Sequence, residues 1–403
     1  MIQQRHAGQA KDRLEGPETG GRDGASCWAR AMTTTHLDGR ILTPDGWRPG
    51  RLSFARRVLE LVPRPDVPAD RLILPGLVDL HVHGGGGADC MAGEAAVRAM
   101  ARFHARHGTT SLLATTVTAP AAELRSALRG IGAVAQARRV GEARVLGCHL
   151  EGPFISPQAL GAQPPFALAP DLALLDALAA LAPIKVATIA PEIDPDHALL
   201  QRLRQQGVRV QLGHSRASSE EAEAALAAGA AGFTHLFNAM TGMHHRAPGM
   251  VGAALARAQH AELILDFQHV APAAARAALR AIPGLYGITD AVAAAGMPPG
   301  DYPLGRHRVI QDGACVRLAD GTLAGSTLTM DRALRNFMAL GLPLADAARR
   351  LSEMPAGYLG LADCGRIEPG ARADLVVVDA SGHLLAVHVE GEAIELAHAA
   401  GSA

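Results

Sequence analysis

The chain has 403 residues, 48% hydrophobic and 19% charged, enough for one large domain or a large and a small one, and too apolar for wholesale disorder. Lys+Arg (38) and Asp+Glu (39) nearly cancel to a formal charge of -1, so there is no basic excess to neutralise a nucleic-acid backbone or to seek an anionic membrane surface. No apolar run approaches the roughly 18 residues of a membrane-spanning helix.

Residues 1–31 are rich in Gly, Pro and charge without periodicity. They read as a loose tail with no apolar leader segment, and Met32 is the expected true start. Five cysteines (Cys27, Cys90, Cys148, Cys315, Cys364) are scattered and form no CxxC pair, which points to a reducing, cytoplasmic setting rather than a disulfide framework.

From Leu37 to Pro75 short strand signals alternate with turns such as Asp45-Gly46. Residues 365–391 read the same way, with the β-branched run Leu375–Asp379 and a turn at Pro369-Gly370. The two segments, taken as 32–74 and 360–398, are expected to pair into one small β-sandwich built from both chain ends. Between them, over 75–359, eight apolar runs alternate with Ala/Leu/Arg/Glu-rich helical stretches. The runs are Leu77–His81, Thr110–Val117, Val145–Leu150, Lys185–Ala190, Val208–Leu212, Gly232–Leu236, Leu263–Asp266 and Leu285–Thr289. One helix is bounded by a capping box at Ser218 and Glu221 and closes at Gly229. This rhythm predicts an α/β fold, a (β/α)8 barrel of the TIM type. A doubly wound sheet is disfavoured, because no GxGxxG follows the first strand.

Barrel active sites are built at the C-terminal ends of the strands. There the sequence places His81 and His83 (strand 1), Glu151 (strand 3), His214 (strand 5), His235 and Asn238 (strand 6) and Asp290 (strand 8). The spacing of two puts His81 and His83 on one face. A single buried histidine is more often a hydrogen-bonded core residue than a ligand, and an Asp after a strand more often a helix cap. Several such groups on one rim need a common purpose, since burying them unpaired costs several kcal/mol each. Imidazoles and carboxylates around one axis suit a borderline divalent metal, zinc or iron. Such an ion drops the pKa of water to around 7, and Asp290, the one strand-end carboxylate left if Glu151 holds the ion, can take the water's proton and pass it to a leaving amine. His149 reads as a support behind the ligands. His244, His245 and Arg246 lie in a Gly/Pro-rich loop and read either as a solvated loop or as an anion clamp. No GxSxG elbow is present, which disfavours a serine hydrolase.

The segments PGLVDLHVHGG, HLEGPFISP, LGHS, THLFNAM, GITDA and GTLAGSTLTMDRA, in this order, resemble the N-acetylglucosamine-6-phosphate deacetylases of the amidohydrolase superfamily, from about Leu37 to Val389. HLEGPF, THLFNAM and LAGSTLTMD are specific to that family, whereas the HxH pair and the terminal Asp mark only the superfamily. The resemblance implies that Glu151, His214 and His235 are the principal metal ligands. It implies that His81 and His83 serve a second ion in members that hold two, and that Asp290 is the general base and acid. Asn238 and Ala239 are implied sugar-phosphate contacts, Arg246 and His269 phosphate and sugar contacts delivered across a homodimer interface, and Thr327 part of the covering loop. The implied substrate is a small amino-sugar phosphate.

Two positions depart from the family pattern. Gln163 stands where the family has a His that helps polarise the acetyl carbonyl, and an amide can donate a hydrogen bond but carries no proton charge. Phe267 stands where a Gly is expected before His269. Both bear on substrate identity and leave three rivals. These are a deacetylase of another N-acyl hexosamine, a dihydroorotase-like ring opener, and a non-catalytic sugar-phosphate sensor. A ring opener typically uses a carboxylated Lys on strand 4, whereas Lys185 lies at the start of that strand, away from the mouth.

Overall fold

A computed structural model describes residues 34–396. The expected tail at 1–31, Met32, Cys27 and the last two residues of the 360–398 segment lie outside the described residues.

All eight predicted barrel strands form one parallel sheet in sequence order. They are Leu77–Val82, Thr109–Thr115, Arg144–Glu151, Ile184–Ile189, Arg209–Leu212, Gly232–Phe233, His260–Ile264 and Gly284–Ile288. The first two are buried at every position, as expected of parallel strands covered on both faces. The sheet closes on itself where Asp290 N–H donates to His81 O (2.9 Å) and the Thr289 hydroxyl donates to the Asp79 carboxylate (2.6 Å). Closure therefore sets the last strand end directly beside the first, which brings Asp290 to the HxH pair.

Between strands run helices such as Glu94–Ala105, Ala121–Gln136 and Ser219–Ala227. The last begins with the predicted capping box, in which the Ser218 side chain accepts from Glu221 N–H and the Glu221 carboxylate accepts from Ser218 N–H. Gly229, with a φ of 108°, follows its end.

Both chain ends meet in a second sheet of seven strands. Leu72–Pro75 is its seam, pairing parallel with Thr35–Thr43 and antiparallel with Leu375–Val378. Apolar side chains from both ends, among them Ile41, Phe54, Ile73, Leu375 and Val377, pack together there. The strands are one continuous hydrogen-bonded sheet in the order of Glu392–Ile394, Leu384–Val389, Leu375–Val378, Leu72–Pro75, Thr35–Thr43, Gly46–Phe54 and Val58–Pro63.

A third sheet was not legible in the sequence. Gly300–Leu304, His307–Asp312 and Cys315–Arg317 form an antiparallel meander after the eighth barrel strand. Its strands are short and expose every second residue, so their apolar content is small. Leu304, Val309 and Val316 pack with Val117, Val292 and Ala324 near the C-terminal rim of the barrel.

Candidate active site

Backbone conformation already marks the rim. Six non-glycine residues with positive φ lie just after barrel strands five to eight: His214 (47°), His235 (27°), Phe237 (84°), Ala239 (49°), Phe267 (63°) and Asp290 (50°). Such conformations cost of order 1 kcal/mol or more each and persist where the surroundings over-determine them, typically at functional sites. Here they bend the chain off the strand ends and turn His214, His235 and Asp290 toward the barrel axis.

Six of the seven strand-end groups singled out in the sequence, His81, His83, Glu151, His214, His235 and Asp290, converge and are buried, while Asn238 is half-buried beside them. Glu151 Oε1 lies 3.2 Å from His214 Nε2 and 3.0 Å from His235 Nε2, and those two nitrogens are 3.1 Å apart. The other carboxylate oxygen, Oε2, lies 3.3 Å from His83 Nε2. His83 Nε2 in turn is 3.2 Å from His81 Nε2 and 3.0 Å from Asp290 Oδ1. Glu151 thus stands between two triads, Glu151–His214–His235 and Glu151–His81–His83, each with the spacing to hold a metal ion.

The donor set supports a cation. His83 Nδ1 faces Thr115 O (3.0 Å), His214 Nδ1 faces Ala159 O (3.0 Å) and His81 Nδ1 faces Glu262 Oε2 (2.9 Å). A carbonyl or carboxylate oxygen accepts only, so each of these rings carries its proton on Nδ1. In a neutral ring the remaining Nε2 is then a bare lone pair, and all of them point at one another and at carboxylate oxygens. Acceptors crowded in this way need positive charge among them, supplied by a divalent ion or by extra protons.

Without an ion, protonation carries that load. Burial opposes charge on His83, yet hydrogen bonds to Asp290 and Glu151 raise its pKa to about 9. His81 is likewise raised well above its ordinary value against burial, by Glu151, Asp290 and Glu262. Burial would lift Glu151 and Asp290, but the facing imidazoles win, holding Glu151 well below the usual carboxylate range and Asp290 at about 2. Asp290 is therefore a carboxylate at neutral pH, the form a general base needs.

A cavity of about 250 Å³ opens onto this cluster. Glu151, His83, His214, His235 and Asp290 form part of its wall, together with Gln163, Asn238, Ala239 and His269. Leu304 and the segment after the meander (Thr322, Leu323, Gly325) add an apolar flank. Gln163 Oε1 accepts from Thr118 N–H (2.7 Å), which orients the amide so that Nε2 donates to Glu151 Oε2 (2.5 Å). His269 is held by Asp266 (2.8 Å), whose charge raises its pKa against burial. Asn238 turns its amide N–H groups back onto His235 O and Leu236 O.

Two of the predicted substrate contacts lie apart from this wall. Arg246 is exposed, with its guanidinium against His245 (2.8 Å), and does not line the cavity of its own chain. Thr327 is buried behind the wall, its carbonyl accepting from Arg332. His149 supports rather than lines: its nitrogens face Leu80 O (3.1 Å) and the Thr188 hydroxyl (2.7 Å), and burial lowers its pKa to about 4. Lys185 is exposed at the start of the fourth strand, so it offers no carbamate to the centre.

Glu262 escaped the sequence reading. It is fully buried on the seventh strand and holds His81. Its signal was a lone carboxylate inside the apolar run AELIL, which an interior position makes costly.

Residues 72–400 match the amidohydrolase family. The chain belongs to that family. Among its members with close sequences are the N-acetylgalactosamine-6-phosphate deacetylase of Escherichia coli O157:H7 and the N-acetylglucosamine-6-phosphate deacetylase of Lysinibacillus sphaericus. The first is 41% identical over 366 residues, 88% of this chain and 97% of that protein. The second is 40% identical over 366 residues, 88% and 94% respectively. Among solved structures, the N-acetylglucosamine-6-phosphate deacetylase of Thermotoga maritima superposes with a TM-score of 0.84 at 32% identity, covering 90% of this chain and all of that one. A mutant of the Mycobacterium smegmatis N-acetyl-D-glucosamine-6-phosphate deacetylase, solved in complex with N-acetyl-D-glucosamine-6-phosphate, superposes at 0.83 with 35% identity and the same coverage. Among the described residues no helix is long and apolar enough to cross a membrane.

Proposed function

We propose that this amidohydrolase removes the acetyl group of N-acetylglucosamine 6-phosphate, giving glucosamine 6-phosphate and acetate. The observation that carries this reading is the placement of one ionised carboxylate, Asp290, 3.0 Å from the His83 nitrogen that faces Glu151, on the wall of a cavity that His269 also lines, its pKa raised by Asp266. The names of the deacetylase relatives supply the substrate class.

Glu151, His214 and His235 would hold one divalent ion, zinc or iron, and His81 and His83 with the other Glu151 oxygen a second. A bound ion would lower the pKa of water and polarise the amide carbonyl. Asp290 takes the proton of the attacking water and delivers it to the amine nitrogen as the C–N bond breaks, so that a neutral amine leaves. Gln163 presents a donor whose orientation Thr118 sets, and its second amide hydrogen remains for the acetyl oxygen. His269 binds the sugar phosphate from the rim, and the exposed Arg246 reaches the site of a second subunit in a homodimer. The four described cysteines, all free, agree with a reducing cytoplasm.

A second reading is favoured by the 41% identity to an N-acetylgalactosamine-6-phosphate deacetylase. It keeps the chemistry and changes the configuration at one sugar carbon. Acetate release from N-acetylglucosamine 6-phosphate, N-acetylgalactosamine 6-phosphate and the unphosphorylated sugars decides between them. A higher kcat/KM on the galacto epimer would replace the first reading by the second, and no acetate from any of the four would remove both.

A further inference from the structure

Several buried side chains of the barrel strands, among them His149, Thr188, Gln211, Glu262 and Tyr286, are polar where branched apolar residues are usual. They form a chain of contacts across the interior. His149 meets the Thr188 hydroxyl (2.7 Å), which meets the Thr234 hydroxyl (2.7 Å). Thr234 donates to Gln211 Oε1 (2.8 Å), Gln211 Nε2 donates to the Tyr286 hydroxyl (2.7 Å), and Tyr286 donates to Glu262 Oε1 (3.4 Å). Donation from Thr234 onward runs one way and ends on Glu262.

The other oxygen of that carboxylate does two things. Glu262 Oε2 accepts from His81 Nδ1 (2.9 Å) and from the backbone N–H of His235 (3.2 Å). One buried oxygen thus touches a residue of each triad. It holds the ring of His81 and only the backbone of His235, whose own ring Nδ1 is buried without a partner. A buried carboxylate is a costly way to fill space, since an apolar side chain of similar size is often neutral or stabilising in its place.

We propose that Glu262 is a positioning residue for the metal centre. It keeps His81 in the tautomer and orientation that aim Nε2 at the His83/Glu151 pair, and so governs occupancy of the triad containing His81 in preference to the one containing His214 and His235. This rests on the reading of the two triads as ion sites and concerns no step of the reaction. Carboxylates behind metal-ligating histidines contribute about 10–100-fold in affinity.

The test uses the full-length protein, stripped by chelation and titrated with zinc, with zinc per chain and dissociation constants read alongside the thermal midpoint. Glu262→Leu is expected to weaken one zinc site about 10–100-fold while the other keeps its wild-type affinity. Glu262→Gln retains an oxygen for His81 Nδ1–H and is expected to restore most of the affinity. It also serves if the leucine variant does not fold. A merely structural role would shift the thermal midpoint of both variants and leave zinc affinity equal in all three proteins, which would overturn the proposal, as would equal weakening of both sites or a glutamine variant as weak as the leucine one. Failure of the deacetylase reading shows separately, as wild-type protein that binds zinc and releases no acetate.

Discussion

Replacing Asp290 by Asn separates proton transfer from everything else the residue does. The side chain keeps its size, and Asn tolerates the left-handed conformation (φ of 50°) better than most residues. The backbone contacts that close the barrel, Asp290 N–H to His81 O (2.9 Å) and Ser326 N–H to Asp290 O (2.8 Å), do not involve the side chain. The amide cannot accept a proton at neutral pH, whereas the native carboxyl, at about 2, is ionised throughout. Loss of a positioned general base costs 10²–10⁴-fold, or about 3–5 kcal/mol in the barrier. The variant is therefore expected to lose that factor in kcat for acetate release, with KM within about threefold of wild type. An ion bound at the Glu151, His214 and His235 triad should stay, because Asp290 approaches His81 and His83. A kcat within about tenfold of wild type, in protein carrying its metal, would refute the assignment of the base. An alanine variant is a poorer probe, since it adds the conformational cost of a positive φ to the chemical loss.

Other expectations follow from single contacts. Gln163→Leu leaves the buried Thr118 N–H without its acceptor and Glu151 without its amide donor, so a loss of about 1–3 kcal/mol should appear in denaturant unfolding, with weaker zinc binding in the same protein. Burial would raise the pKa of Asp331, but its contacts with His107, Thr329 and Arg335 lower it from 3.8 to about 2. That difference corresponds to about 2 kcal/mol of stability, present above the unfolded value and lost as pH falls through the folded one. Unfolding free energies measured between about pH 5 and pH 2 should accordingly fall less steeply in Asp331→Asn than in wild type. Phe54→Ala empties a fully buried position in the small sheet and should cost about 3–5 kcal/mol; a change below about 1 kcal/mol would mean that the site collapses around the gap.

The regular parts of this protein were legible because their physics is local. Eight apolar runs at helix-separated intervals can bury both faces of each strand only in a covered parallel sheet, and the capping box at Ser218 and Glu221 satisfies its donors within four residues. The ligand-type side chains at the strand ends were legible for a related reason, since a strand followed by a turn delivers its last residues to the rim wherever the barrel closes. The sequence by itself therefore determined the barrel, the pairing of both chain ends and the set of polar groups that meet at the mouth. Tertiary structure alone decided how those groups divide. It placed Glu151 between two histidine pairs, turned Gln163 onto Glu151, and left Arg246 outside the cavity of its own chain. It also assembled the interior chain ending at Glu262, whose members come from separate strands. Such contacts join residues distant in the chain, 181 positions apart for His81 and Glu262, and depend on strand stagger and on backbone angles that no local pattern specifies. The short meander at 300–317 was missed for the converse reason: it is held by packing against the rim and carries too few apolar residues of its own to announce a strand.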